Sequence, residues 1–166
     1  LAAPTAGLHF TAALLDRLSQ QGVEIASLTL HVGPGTFKPI VADTLDEHRM
    51  HSEWGCIGQH AVDQITNCRR RGGRIFAVGT TAVRLLETAS AAGELMPFSG
   101  HTDLFIKPQY KFRAVDAILT NFHLPRTTLL VLVRAFGGDE LMRRAYDEAI
   151  REKYRFYSYG DAMLIV

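Results

Sequence analysis

The polar corner Thr120-Asn121-Phe122-His123-Leu124-Pro125 sits between two apolar runs, residues 115–119 and 129–136. It brings hydroxyl, amide and imidazole groups together, with Arg126 beside them. An apolar run of that length reads as a buried strand. Pro125 disfavours helix at Leu124 and fixes where the chain turns. Thr127 or Thr128 then caps a helix that Gly137-Gly138 stops. In α/β sheets ligands bind at the carboxyl ends of strands, where this corner would lie. Arg126 and the free N–H groups of the new helix favour an anion there. An ordinary capped corner accounts for the same pattern.

Other stretches carry weaker signals. Thr80 and Thr81 follow a short apolar strand and Gly79, a suitable place for ribose or phosphate oxygens. The full GxGxxG and the P-loop lysine are missing. Gly33-Pro34-Gly35-Thr36-Phe37 is a glycine-rich turn at a strand end, a second candidate pocket wall. His48-x-x-His51-x-Glu53 resembles a metal set, but nothing nearby completes it, and no metal is expected. In a strand His51 and Glu53 share a face and can pair as acid and base. A satisfied polar pair at a sheet edge reads the same way. Arg69, Arg70 and Arg71 end a helix and complement its dipole. Lys107, Tyr110, Lys111, Phe112 and Arg113 interleave cations with aromatics, which suits phosphate contact and base stacking or a solvated loop.

Periodicity places the elements that would hold these groups. Helices are expected over residues 12–21, 59–71, from Thr80 to at least Glu87, and over 139–151, with a helical turn at 43–48. Leu14, Leu15 and Leu18 form the stripe of the first. Leu141, Met142, Ala145, Ala149 and Ile150 face inward on the last. Strands are expected over 23–32, 50–57, 74–79, 101–106 and 162–166, with a loop over 91–100 and an aromatic loop over 154–161. The alternation indicates an α/β fold with a mixed or mostly parallel sheet flanked by helices. The 166 residues suit one domain, with 47% hydrophobic and 21% charged residues. A net charge of +1 does not advertise nucleic acid, though a local basic patch remains compatible with it. Cys56 and Cys68 fit neither metal spacing nor a disulfide framework, which favours a reducing, cytoplasmic setting. No apolar run reaches membrane-spanning length, so no membrane partner is expected. The chain starts at Leu1 and runs at once into a loop-like motif, as the interior of a longer protein would.

Taken together, APTAGLHFT, TLHVGPGTF, HRMHSEW, AVGTTAVRLLE, TDLFI, TNFHLPRTTLL and YRFYSYGDAMLI resemble the S-adenosylmethionine:tRNA ribosyltransferase-isomerase (QueA) family of queuosine biosynthesis. The resemblance runs over essentially the whole chain. It implies the C-terminal portion of an α/β catalytic domain, residues 1–166, incomplete without an N-terminal half and an inserted β-barrel domain. The family usually shows an aromatic and a glycine where Lys107 and Gln109 stand, and serine where Ala82 stands.

The resemblance further implies a reaction. The ribosyl part of S-adenosylmethionine, a cosubstrate here, passes to 7-aminomethyl-7-deazaguanine in a tRNA anticodon. Isomerisation gives epoxyqueuosine, and adenine and methionine leave. A sulfonium acidifies the adjacent C5′ protons, so a base in a dry pocket is needed. His123 is the first candidate and His51 with Glu53 the second. Asn121 and Asp103 suit the departing adenine; Thr80, Thr81 and Asp103 suit ribose hydroxyls; Arg126 or Thr127 suits the methionine carboxylate. Phe122, Tyr157 and Tyr159 suit a flipped base. Arg69, Arg70, Arg71, Lys111 and Arg113 suit the RNA backbone. Two other readings stand beside this one: an S-adenosylmethionine-dependent methyltransferase, and a non-catalytic half that binds RNA or a partner.

Overall fold

A strand needs a neighbour, and in this chain the neighbours divide into two sets. The computed structural model describes residues 4–33, 36 and 39–166. Thr29–Leu30 (β1), Glu53–Ile57 (β2) and Phe98–Thr102 (β4) form one three-stranded sheet in the order β1-β2-β4, antiparallel throughout. Phe76–Val78 (β3), Ala117–Asn121 (β5) and Ala162–Ile165 (β6) form another, in the order β3-β5-β6. There β3 pairs parallel with β5, and β6 pairs antiparallel. The fold is α/β with mixed strand directions and flanking helices. Of the mixed or mostly parallel sheet expected, the mixed form is observed, with parallel pairing between β3 and β5.

The helices are Ala12–Gln20 (α1), Gln59–Arg70 (α2), Thr80–Ala89 (α3), Thr128–Gly137 (α4) and Asp139–Arg151 (α5), after a short 3-10 turn at Thr5–His9. No described helix is long and apolar enough to cross a membrane. Helix α3 touches strands of both sheets. On one side Leu85 lies so near Gly55 that a Cβ there would meet it at 2.8 Å. On the other, Val83 and Leu86 join Ala77, Ile118 and Leu132 in the main core. Seven of its residues are buried, among them Arg84 and Glu87. A buried charge has to be paired and hydrogen-bonded. Glu87 accepts from the backbone N–H groups of Arg113 and Ala114, each at 3.0 Å, and from the Tyr110 hydroxyl at 3.2 Å.

Several expectations are corrected. The strand over residues 23–32 shrinks to β1, where Thr29 and Leu30 pair in register with Cys56 and Gly55 of β2 and one further bond, from the His31 N–H to the Trp54 carbonyl at 2.8 Å, follows. The strand over 101–106 is displaced into the expected loop, where Phe98–Thr102 pairs with the whole of β2. Past Thr102 its hydroxyl accepts the Leu104 N–H at 3.2 Å and Arg84 takes the Leu104 carbonyl at 3.2 Å, which ends the ladder. Residues 43–47 form bends and turns, and His48 none, in place of the expected helical turn. On α5 Met142 and Ala149 are buried, whereas Leu141 and Ile150 lie exposed on its flanks. The Leu14 stripe of α1 buries no residue. Pro34, Gly35 and Phe37 of the glycine-rich turn lie outside the described residues.

Lys107-Pro108-Gln109-Tyr110 is a tight turn closed by the Tyr110 N–H on the Lys107 carbonyl at 3.1 Å. Its third residue, Gln109, has φ 72°. A type II turn wants glycine there. Gln109→Gly should therefore raise stability by up to about 1 kcal/mol, while Gln109→Ala, which keeps the Cβ, gains nothing. Urea unfolding midpoints check this; a loss of stability in the glycine variant would refute it.

Candidate active site

The carboxyl ends of β3 and β5 converge with the starts of α3 and α4. Gly79, Thr80, Thr81, Thr120, Asn121, His123, Thr127, Tyr157 and Ser158 line one cavity there, with Thr5, Thr36 and Val78 among the other walls. Its volume is about 70 Å³. That is far below the roughly 300 Å³ at which small-molecule pockets begin. No Asp, Glu, Lys or Arg stands among the described lining residues.

Each polar group is fixed by the strand or helix that carries it. His123 follows β5 and is partly buried; its Nε2 lies 2.8 Å from the Thr120 hydroxyl. The Tyr146 hydroxyl accepts the His123 N–H at 3.0 Å. Desolvation pushes the imidazole pKa from 6.5 to about 4, so the ring is neutral at pH 7. Burial also raises the Tyr146 pKa, against a lowering from its hydrogen bond to His123. Asn121 donates from Nδ2 to the Tyr157 carbonyl at 3.1 Å, and its buried Oδ1 has no partner among the described residues. The Tyr157 N–H returns to the Phe122 carbonyl at 3.0 Å. These two bonds hold Tyr157 at φ 76°, a conformation that an aromatic residue rarely adopts.

Two helix starts face the hollow, and they differ. The Thr127 hydroxyl accepts from Leu130 N–H at 3.2 Å and donates to the Leu124 carbonyl at 2.8 Å, so α4 caps itself. Gly79, at φ 93°, gives α3 no side-chain cap. Among the described residues no side chain caps the first N–H groups of α3, which suit an oxygen or an anion.

The structure gathers Thr80, Thr81, Asn121, His123, Thr127 and Tyr157 from the expected set and leaves out the rest. Asp103 is exposed, one residue beyond β4, and lines no part of the cavity. Arg126 holds φ 58° with an exposed side chain outside it; its carbonyl takes the Ile40 N–H at 2.7 Å. The His51–Glu53 pair is not formed. His51 precedes β2 and is exposed, whereas Glu53 is 3% exposed. Glu53 Oε2 instead accepts from Arg84 Nη1 at 2.6 Å, and its Oε1 accepts from the Gly33 N–H at 2.8 Å and from the Thr36 hydroxyl. Glu53 is thereby a structural anchor for a cavity wall. Phe122 packs edge-on or tilted against Tyr146, Tyr154 and Phe156 and does not line the cavity. Tyr159 is fully outside, at 88% exposure.

Among the cations, Arg69, Arg70 and Arg113 border a second hollow together with Ser90 and Glu94. Arg69 also pairs with Asp116 at 3.3 Å, and Arg71 pairs with Glu24. Lys111 is exposed. No group of three or more His, Cys, Asp or Glu residues among the described ones is placed to hold a metal ion. Thr5, Thr36, Thr120 and Ser158 were given no individual role from sequence, although Thr120 opens the polar corner, Thr36 lies in the glycine-rich turn read as a candidate pocket wall, and all four sit in stretches that carried the family resemblance.

Comparison with known proteins settles the relationship. A sequence profile described as "Queuosine biosynthesis protein" matches residues 1–165. The chain belongs to that family. It is 56% identical over 165 residues to the S-adenosylmethionine:tRNA ribosyltransferase-isomerase of Coxiella burnetii (strain CbuG_Q212), covering 99% of this chain and 48% of the relative. It is 55% identical over 171 residues to the Xanthomonas oryzae pv. oryzae enzyme of the same name, again 99% and 48%. The crystal structure of S-adenosylmethionine tRNA ribosyltransferase from Thermotoga maritima superposes with TM-score 0.81 at 45% identity, over 97% of this chain and 51% of that one. The chain thus spans about half the length of the relatives it matches.

Two outcomes follow. Glu53→Gln removes the charge opposite a fully buried guanidinium and should cost about 3 kcal/mol in urea unfolding; Glu53→Gln with Arg84→Met should recover part of it. An unchanged midpoint in the single variant would refute the pairing. The folded state also disfavours the His123 proton. Its contribution to stability is whole above pH 6.5 and declines as pH falls towards 4, because the unfolded chain protonates first. Unfolding free energy should drop by roughly 1–3 kcal/mol across that window. In His123→Asn the decline should be smaller; identical pH slopes would count against a buried neutral imidazole.

Proposed function

We propose that this chain supplies one wall of the catalytic centre of an S-adenosylmethionine:tRNA ribosyltransferase-isomerase. The whole enzyme would move the ribosyl group of S-adenosylmethionine to 7-aminomethyl-7-deazaguanine in a tRNA anticodon and isomerise it to epoxyqueuosine. Adenine and methionine would leave. Residues 1–166 are read as the C-terminal portion of the α/β catalytic domain. Family membership supports the reaction class. The observation that carries the reading is the hollow itself: a neutral histidine, an unpartnered amide oxygen and an uncapped helix start meet at the strand ends.

The residues divide the work by their chemistry. His123 is unprotonated and desolvated, so it accepts the C5′ proton; its low pKa means that the sulfonium must do much of the acidifying. Asn121 Oδ1 accepts a hydrogen bond from the adenine amino group or a ribose hydroxyl. Thr80 and Thr81 meet ribose hydroxyls, and the open N–H groups at the start of α3 meet the methionine carboxylate. Thr127 is occupied with its own helix, and Arg126 stands outside. Tyr157 borders the space for the flipped base. Arg69, Arg70 and Arg113 meet the RNA backbone. The fit is partial by volume, since about 70 Å³ holds a fragment of the cosubstrate. For that reason a separately made complementary half is part of the test.

With that half and the modified tRNA added, S-adenosylmethionine should give free adenine and methionine, read by chromatography. Formation of S-adenosylhomocysteine would establish the methyltransferase reading instead. His123→Ala should slow adenine release by about 100-fold or more, and His51→Ala should leave it unchanged. A wild-type rate in His123→Ala would remove that residue as the base.

A further inference from the structure

Thr120 is 1% exposed near the end of β5, and alternation along the strand turns it to the same face as the buried Ile118. A valine would fill that place with nearly the same shape and no polar group to satisfy. A buried hydroxyl costs free energy unless it is hydrogen-bonded. Among the described residues the Thr120 hydroxyl has one partner, the His123 Nε2 at 2.8 Å. Both residues line the hollow at the strand ends.

The rest of the corner pins the backbone beneath the ring. The Tyr146 hydroxyl, on α5, accepts the His123 N–H at 3.0 Å. The Phe122 carbonyl accepts the Tyr157 N–H at 3.0 Å, and Asn121 Nδ2 donates to the Tyr157 carbonyl at 3.1 Å. What is left to the imidazole is rotation about its own side-chain bonds, and the bond to Thr120 opposes that. The ring Nδ1 has no hydrogen-bond partner among the described residues.

A neutral imidazole carries one proton, and a hydroxyl can either donate to Nε2 or accept from it. The two arrangements do opposite chemistry. With Thr120 donating, the proton sits on Nδ1 and the ring offers the hollow only a donor. With Thr120 accepting, the proton sits on Nε2 and Nδ1 keeps a lone pair. Once the ring is an imidazolium both nitrogens donate, so Thr120 has to accept. An acceptor already in place needs no hydroxyl rotation during proton transfer. It also favours the charged ring, which desolvation disfavours.

We propose that Thr120 is a positioning residue that holds His123 as the Nε2–H tautomer, with the Nδ1 lone pair turned to the hollow. The inference rests on the function proposed above and adds to it the residue that prepares the base and the ring atom that acts. In that reaction the C5′–H bond breaks, the proton forms a bond to Nδ1, and the electron pair stays on the carbon beside the sulfonium. The Nε2–H remains bonded to Thr120 Oγ1 throughout.

The first test needs no variant at Thr120. Nitrogen NMR of the chain with isotope-labelled histidine reads which ring nitrogen is protonated; the His123 signals are those lost in His123→Asn. Nε2 should carry the proton and Nδ1 should be bare. In Thr120→Val the two tautomers should mix, and in Thr120→Ser the wild-type pattern should return. A wild-type ring protonated on Nδ1 would overturn the proposal, as would a pattern that a folded Thr120→Val leaves unmoved. Circular dichroism checks the fold of each variant, and the wild-type spectrum decides alone if Thr120→Val does not fold. Adenine release, with the complementary half and modified tRNA, is measured in parallel. Thr120→Val should slow it about 10- to 100-fold, the equivalent of one hydrogen bond to a charged group, and Thr120→Ser should restore it to within about threefold. A wild-type rate in Thr120→Val beside a slowed His123→Ala would overturn the proposal. A tautomer that depends on Thr120, with full adenine release in His123→Ala, upholds the tautomer assignment and sinks His123 as the base.

Discussion

The ion pair between Arg84 and Glu53 ties the two sheets to the cavity. Helix α3 is buried against both sheets, so Arg84 cannot reach water; it is 2% exposed and its partner 3%. Taking two such charges out of water costs several kcal/mol each, and their attraction roughly balances that cost. The pair therefore adds little net stability. It adds specificity, because any arrangement that separates the partners strands a buried charge. Its geometry sets where β2 stands relative to α3. The second oxygen of the same carboxylate holds the Gly33 N–H and the Thr36 hydroxyl, and Thr36 lines the cavity. One side chain thus connects a strand, the central helix and a pocket wall. Glu87, one turn further along, does the same for the segment at Tyr110–Ala114. Desolvation there, with the nearby Glu87 charge, pushes the Tyr110 pKa up to about 12, which keeps its hydroxyl a donor.

The start of α3 owes its chemistry to a backbone requirement. The chain leaves β3 through Gly79 at φ 93°, where any side chain would be strained. A Cβ at that position would also stand 3.6 Å from Ala6 and 3.5 Å from the Thr81 hydroxyl. Glycine satisfies the turn and supplies no capping group. The polar end of the helix is left for whatever enters the hollow. Helix α4 had no such constraint, and Thr127 closes it. The two helix starts look equivalent in sequence, each a threonine after a strand and loop, yet only one is open.

Local signals were legible in the sequence, and pairings between distant segments were not. The bounds of α5 and the Thr127 cap follow from periodicity, Pro125 and Gly137-Gly138. Thr80, Thr81, Asn121 and His123 come together at the cavity because they sit where strands end, a position that the chain order alone reveals. Glu53 was misjudged because its true partner, Arg84, lies 31 residues away on a helix whose complete burial has no local signature. An arginine in mid-helix ordinarily faces water. The strand at Phe98–Thr102 was missed because Ser99 and Gly100 have little strand preference; β2 imposes the pairing. Asp103 fell out for the same reason, since the ladder ends one residue before it.

The lining of the cavity bears on what the chain can do without more protein around it. S-adenosylmethionine carries a sulfonium and a carboxylate, and a low-dielectric hollow admits each charge only if something answers it. Under the proposed function the α3 N–H groups would answer the carboxylate. Under the same function the sulfonium would meet, among the described lining residues, only uncharged oxygens, those of Thr120, Asn121 and the threonines at the helix starts, and a neutral imidazole. A positive charge next to His123 would lower the affinity of that ring for a proton still further. Under the proposed function, proton transfer to His123 would become favourable only as the sulfonium charge is neutralised during the reaction or is met by a negative group. Neither the described lining nor Glu53, which is bound to Arg84, supplies such a group. Among the described residues the hollow is thus both small and electrostatically one-sided, and a cation entering it would need a negative group that this lining does not carry.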